Sequence, residues 1–266
     1  MTAEEYSETR HDTPYIFELK AHEKTLHYFG TRHTRDPHDP LFAQIEAAFN
    51  DSRPDIVFVE GVHVISDIHT FNERVKKASR EEIIDRMGES GFTLKLALEK
   101  GIAWHSPEPS DKDLYDHLLT EGFSKDQIFA WEVFHILPQY GRQMHKEGFK
   151  AYVGGFIERF KETTCWSDFD YSYERALQLG EEIIGRSIDV ENEAHATDLI
   201  DPIPWAGKKE SQTILNRIGE ASSRFRDRKI VTDILDAYTQ HDRLFIVYGA
   251  SHAAMQEPAL KMAFEL

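Results

Sequence analysis

Residues 26–33, LHYFGTRH, and residues 244–252, LFIVYGASH, lie almost at opposite ends of a 266-residue chain and read the same way. In each, a short apolar run of strand type ends in Gly-x-x-His, which sets a histidine a few residues beyond a strand end. A third run, residues 56–61, IVFVEG, ends in Glu60. Continuous apolar runs of this length fit strands covered on both faces, as in a parallel sheet. Loops at the carboxyl ends of such strands line the ligand crevice of an open α/β sheet. Two histidines and a carboxylate at three strand ends therefore predict a catalytic centre.

Working outward from the first stretch, residues 1–13 are polar and read as a flexible tail. Residues 15–19 and 25–29 flank the polar turn 20–24 and predict a β-hairpin. Residues 31–40, TRHTRDPHDP, carry two prolines and must be a loop, near whose end Asp39 caps a helix starting at Pro40. Strand, helix and the run 56–59 make one βαβ unit. Helices are expected over 72–77, 80–87 and 93–100, the second with Ser79 and Glu82 spaced as a capping box. Residues 102–104 form a short strand running into His105, Ser106, Pro107 and Glu108. Helices then dominate: 111–120, 124–146 with a kink near Pro138, 151–162 and 171–184. A loop at 200–208 holds Trp205, residues 211–240 are mostly helical, and a last strand, 243–248, precedes a helix over 253–264. The expected fold is α/β: a mostly parallel central sheet flanked by helices, with an N-terminal β-hairpin. Residues 14–266 are read as one domain bearing a helical insertion at about 110–200, because no flexible linker separates two cores.

Bulk composition narrows the function. A formal charge of −16 disfavours a nucleic-acid partner, which needs a clustered basic face. One cysteine, Cys165, excludes an intramolecular disulfide framework. No run approaches the roughly 20 apolar residues that span a bilayer, and the N-terminal residues lack a signal-peptide pattern. The expectation is a soluble cytoplasmic protein with no membrane partner. No GxxxxGK[ST], GxGxxG after an early strand, or HExxH occurs, which weakens nucleotide and zincin readings.

The candidate site residues are His33, Glu60 and His252, with His105 and Glu108 on a further strand-end loop. The plainer reading is that each histidine hydrogen-bonds a loop carbonyl. Asp36, His38, His63, Asp67 and His69 are weaker candidates, most simply loop and cap residues. GASHA resembles a nucleophile elbow around Ser251, but no histidine follows His252, and His252 is badly placed to activate its neighbour. Arg224, Arg226 and Arg228 form a basic cluster in an acidic chain, and residues two apart on a helix face different ways.

GTRH at 30–33, VEG at 59–61, RDRKIV at 226–231 and GASH at 249–252 resemble, in this order, motifs of the TraB/TIKI family, of a wider group with the erythromycin esterases and the haem-binding ChaN-like proteins. The similarity covers the framework from about residue 25 onward, whereas the helical middle matches no motif. The resemblance implies a ChaN/erythromycin esterase-like fold and a site of His33, Glu60, Arg226 and His252. It implies a hydrolase of an ester or amide (peptide) bond, acting on a small-molecule or peptide substrate. Neutral imidazoles and a carboxylate suit Zn²⁺, Mn²⁺ or Co²⁺, with His33, Glu60 and His252 as ligands. Without metal, one histidine acts as general base oriented by Glu60, and Arg226 stabilises an oxyanion or grips a substrate carboxylate or phosphate. The alternative is a non-catalytic protein that binds a small molecule or haem in the same crevice. The helical middle reads equally as a lid or as a surface for homo-oligomer formation.

Overall fold

The computed structural model describes residues 1–62, 67–141, 148–191, 199–201 and 212–264. The chain divides into two compact units, residues 1–108 with 226–266, and residues 109–225.

The first unit is α/β. Its strands β1 (Tyr15–Ala21), β2 (Lys24–Thr31), β3 (Ile56–Val59), β4 (Ala103–His105) and β5 (Arg243–Gly249) form one sheet in the order β1-β2-β5-β3-β4. β1 runs antiparallel to β2, and the other pairings are parallel, with Gly30 beside Tyr248 and Val59 beside Val247. The last strand in sequence thus lies between the second and third. Its apolar run is continuous because both faces are covered. Phe245 and Val247 pack on one side with Phe29, Val57 and Val59, against α2 (Leu41–Ser52) and α4 (Arg80–Glu99). Leu244, Ile246 and Tyr248 pack on the other with Ile230 and Ile234 of α10 (Ile214–Gln240) and Ala253, Leu260 and Phe264 of α11 (Ala250–Phe264). α3 (Ile68–Lys77) packs on α4.

The second unit is helical. α5 (Asp111–Thr120), α6 (Lys125–Phe134), α7 (Leu137–Gly141), α8 (Phe149–Thr164) and α9 (Tyr173–Ile184) enclose an aromatic-rich core around Phe129, Phe134, Phe149 and Phe160, joined by Leu215 and Ile218 of α10.

Several local expectations shift. Residues 3–8, expected in a tail, form helix α1 (Ala3–Glu8), because Thr2 and Glu5 complete a capping box. The first of the two helices expected over 80–87 and 93–100 ends at the break at Gly88, which takes a left-handed φ of 56°, and the second starts directly after it, so that both fall within α4. The helix expected over 124–146 ends at Phe134, and Pro138 sits in the first turn of the short α7, where its missing N–H costs no bond. The final helix starts at Ala250, so His252 lies in its first turn rather than in a loop. His63 and Trp205 lie outside the described residues.

Candidate active site

Three neighbouring strands deliver the candidate residues. β2 ends at Thr31 and leads to His33; β3 ends at Val59, immediately before Glu60; β5 ends at Gly249, and α11 begins on the next residue. α10 crosses the same sheet face with Ile230 and Ile234 buried on it, and carries Arg226 and Asp227 one turn earlier.

Glu60 is the common partner. Its Oε2 accepts the Gly249 N–H at 2.7 Å. Its Oε1 lies 3.6 Å from His252 Nε2 and 3.6 Å from Arg226 Nη2. His33 closes over Gly249: a Cβ on that glycine would stand 3.2 Å from His33 Nε2 and 3.5 Å from Glu60 Oε2. Gly249 thus works as space and as a donor. Gly30, its counterpart in the first motif, is needed for packing instead, since a Cβ there would meet Ala253 Cβ and the Tyr15 carbonyl at 2.7 Å.

Burial alone would raise the Glu60 carboxyl, but His252, His33, Arg226 and the Gly249 N–H together hold it below its ordinary value. His252 is moved the other way. Burial disfavours its cation, yet the Asp227 hydrogen bond and the charges of Glu60 and Asp227 outweigh that and raise it. Arg226 forks onto Glu108 through Nε at 2.9 Å and Nη2 at 3.1 Å, a two-bond geometry that fixes the guanidinium plane.

Sequence reasoning missed the residues behind this centre. His252 Nδ1 lies 2.7 Å from Asp227 Oδ1, which also accepts from Gln256 Nε2 at 2.7 Å, and the Gln256 amide oxygen accepts from the Tyr28 hydroxyl at 2.9 Å. His33 Nδ1 faces Glu89 Oε2 at 3.8 Å, while Glu89 Oε1 accepts the Thr34 N–H at 2.6 Å. Glu89 follows the break at Gly88, where a Cβ would lie 3.0 Å from the Thr34 carbonyl; the break lets α4 approach the His33 loop. The expected interruption between 87 and 93 was the one local signal for it. Asp227 stands inside the quoted stretch 226–231 with nothing local to single it out, and Gln256 carried no signal.

The structure brings His33, Glu60, Arg226 and His252 together and adds Glu108. Arg224 and Arg228 are exposed, and Arg224 pairs with Glu121 at 2.9 Å, so Arg226 alone of the three reaches Glu60. His105 Nε2 turns to Asp233 Oδ2 at 3.1 Å. Asp36 accepts the His38 N–H within its turn at 3.0 Å, and Asp67 caps α3 through the Thr70 N–H at 3.0 Å. Ser251 is exposed in the first turn of α11.

Among the described residues, no group of three or more His, Cys, Asp and Glu is arranged to hold a metal ion. The donors that could do so, His33, Glu60 and His252, share Glu60 with the Arg226 guanidinium at 3.6 Å. A cation there would meet like charge, so this donor set fits a divalent ion poorly. No helix among the described residues is long and apolar enough to cross a membrane. Comparison of the chain with protein-family models, with curated proteins and with solved structures found no match.

Proposed function

We propose that this protein is a hydrolase that splits an ester or amide bond of a small-molecule or peptide substrate with water, as its TraB/TIKI-like motifs imply. The observation that carries the proposal is the convergence of His33, His252 and Arg226 on Glu60 at the carboxyl ends of three adjacent strands. The ChaN/erythromycin esterase-like fold belongs to the same proposal, supported by the mostly parallel sheet covered on both faces.

His33 is the open member of the set, its side chain 62% exposed, with the Glu89 carboxylate 3.8 Å from its Nδ1. It serves as general base, taking a proton from water as the water oxygen attacks the substrate carbonyl. The carbonyl π electrons move to oxygen, and Arg226 stabilises the resulting oxyanion; a guanidinium has five N–H donors, and Glu108 uses two of them. When the intermediate collapses, the bond to the alcohol or amine breaks, and protonated His33 returns the proton to the leaving group. His252, backed by Asp227, keeps Glu60 ionised beside His33. The divalent ion that the resemblance also implies would be held by His33, Glu60 and His252, but the guanidinium argues against it.

The test is turnover on a panel of aryl esters and short peptides, for the native chain and for His33→Ala. General-base removal is expected to lower kcat by about 10²–10⁴-fold. Chelator should leave the native rate unchanged, and loss on chelation with recovery on adding Zn²⁺ would move the chemistry to the ion. A native chain inert on the whole panel would overturn the proposal. If it instead gave a shifted Soret band with haem that His252→Ala removed, the binding-protein reading would replace it.

A further inference from the structure

Gln256 is a buried amide, 1% exposed, on the apolar face of α11, where Ala253 and Leu260 pack against the sheet. A leucine would fill that place without needing hydrogen bonds, and an unpaired buried amide is costly. What the amide does is join three elements. Its nitrogen donates to Asp227 on α10, and its oxygen accepts from Tyr28 on β2, whose side chain is fully buried. His252 stands one turn earlier on the same helix and meets the same Asp227 oxygen.

The direction of each bond follows from chemistry. A carboxylate oxygen is an acceptor only, so it requires N–H from both partners that approach it at 2.7 Å. The reversed amide would set its oxygen against the carboxylate, so the amide keeps one orientation, and its own oxygen then faces the Tyr28 O–H. With Asp227 pinned between two donors, the single proton of the neutral His252 ring must sit on Nδ1. Nε2 is left as the nitrogen that faces Glu60, 3.6 Å away.

We propose that Tyr28 and Gln256 are positioning residues which, through Asp227, lock His252 in its Nδ1–H tautomer. The lock itself needs no reaction; only its effect on turnover rests on the hydrolase reading above. Without Gln256 the Asp227 carboxylate loses one of its two tethers and can rotate, and the imidazole becomes free to exchange tautomers or turn. Partners that hold a metal-binding imidazole from behind are worth on the order of 10–100-fold in activity, and an imidazole fixed in the same way without metal is expected to lose a similar factor.

The experiment records long-range ¹H–¹⁵N correlations of the imidazoles in the full-length protein without substrate, with the His252 signals assigned from the His252→Asn spectrum. At a pH above the His252 titration, where the ring is neutral, the native chain is expected to show His252 protonated on Nδ1. Gln256→Met, similar in shape but without the amide, is expected to show mixed tautomers, with kcat lowered at least tenfold and KM unchanged. Tyr28→Phe should change both in the same direction and less, and it carries the test if Gln256→Met does not fold. An Nε2–H tautomer in the native chain, or a pure Nδ1–H tautomer in both variants, would overturn the proposal. If the native chain hydrolyses nothing but the tautomer shifts as stated, the lock stands and the hydrolase reading falls.

Discussion

Replacing Arg226 by methionine should reveal how much of the first unit depends on one guanidinium. Its partner Glu108 has a side chain only 3% exposed and is held by two hydrogen bonds, at 2.9 and 3.1 Å. Glu60 loses a second cationic neighbour at 3.6 Å. Methionine keeps most of the volume and removes the charge, so the dominant effect is a buried carboxylate left uncompensated, which costs about 3–5 kcal/mol. The reverse truncation, Glu108→Leu, should cost less, about 2 kcal/mol, because Arg226 is 29% exposed and water can replace part of the lost partner. The double variant removes both charges and should cost less than the sum of the singles by about 2 kcal/mol. Urea unfolding measures this: at a slope of roughly 2 kcal/mol/M, Arg226→Met should lower the midpoint by about 1.5–2.5 M with the slope unchanged. Arg224→Met and Arg228→Met are the controls. Both side chains are exposed, and each change should stay within about 0.5 kcal/mol. A cost below about 1 kcal/mol for Arg226→Met, as for a solvated surface pair, or strict additivity in the double variant, would refute the reasoning.

Two tyrosines that flank the centre should respond oppositely to loss of the hydroxyl. Tyr248 is buried with a hydroxyl that has no hydrogen-bond partner among the described residues, so Tyr248→Phe should be neutral or stabilising by about 1 kcal/mol; Tyr28→Phe strands the Gln256 oxygen and should cost about 1–3 kcal/mol, both read by thermal unfolding. The two motif glycines should also separate. Gly30→Ala forces a contact with backbone and should cost about 1–3 kcal/mol, whereas Gly249→Ala presses mainly on the end of the His33 side chain and should reduce turnover while the urea midpoint barely moves. Stability should fall on both sides of neutrality. Glu60 is held low in the folded state, so its contribution is present above its unfolded value of about 4.3 and is lost as pH falls through the folded value. His252 is held high, so its contribution is complete below about 6.5 and is lost as pH rises through the folded value. Glu132, which burial in the second unit pushes up to about 8, also weakens the fold as pH rises, so Glu132→Gln should gain stability at neutral pH while His252→Asn flattens what remains of the alkaline slope. Unfolding curves from pH 3 to 9 for the native chain and each variant check these signs.

Much of the site was legible because its parts lie on strongly patterned segments. LFIV and IVFV are apolar at every position, which fits strands covered on both faces, so a buried, mostly parallel sheet was the expected reading. Gly-x-x-His after two strands and Glu after a third named His33, His252 and Glu60, since chain direction puts the ends of parallel strands on one edge. The choice among Arg224, Arg226 and Arg228 was narrowed by helix geometry alone and needed burial to finish.

What remained depended on contacts between residues far apart in the chain. That β5 lies between β2 and β3 is a property of pairing across about 190 residues, and it is this that lets the Gly249 N–H meet Glu60. Glu89 reaches His33 only because Gly88 breaks a helix beside the loop, and Asp227 meets both His252 and Gln256 only when α10 and α11 share one sheet face. Local sequence therefore determined which side chains stand at the strand ends. The carboxylates and amide that orient them were decided by tertiary packing, because a hydrogen bond depends on distances and angles that no spacing along one segment encodes.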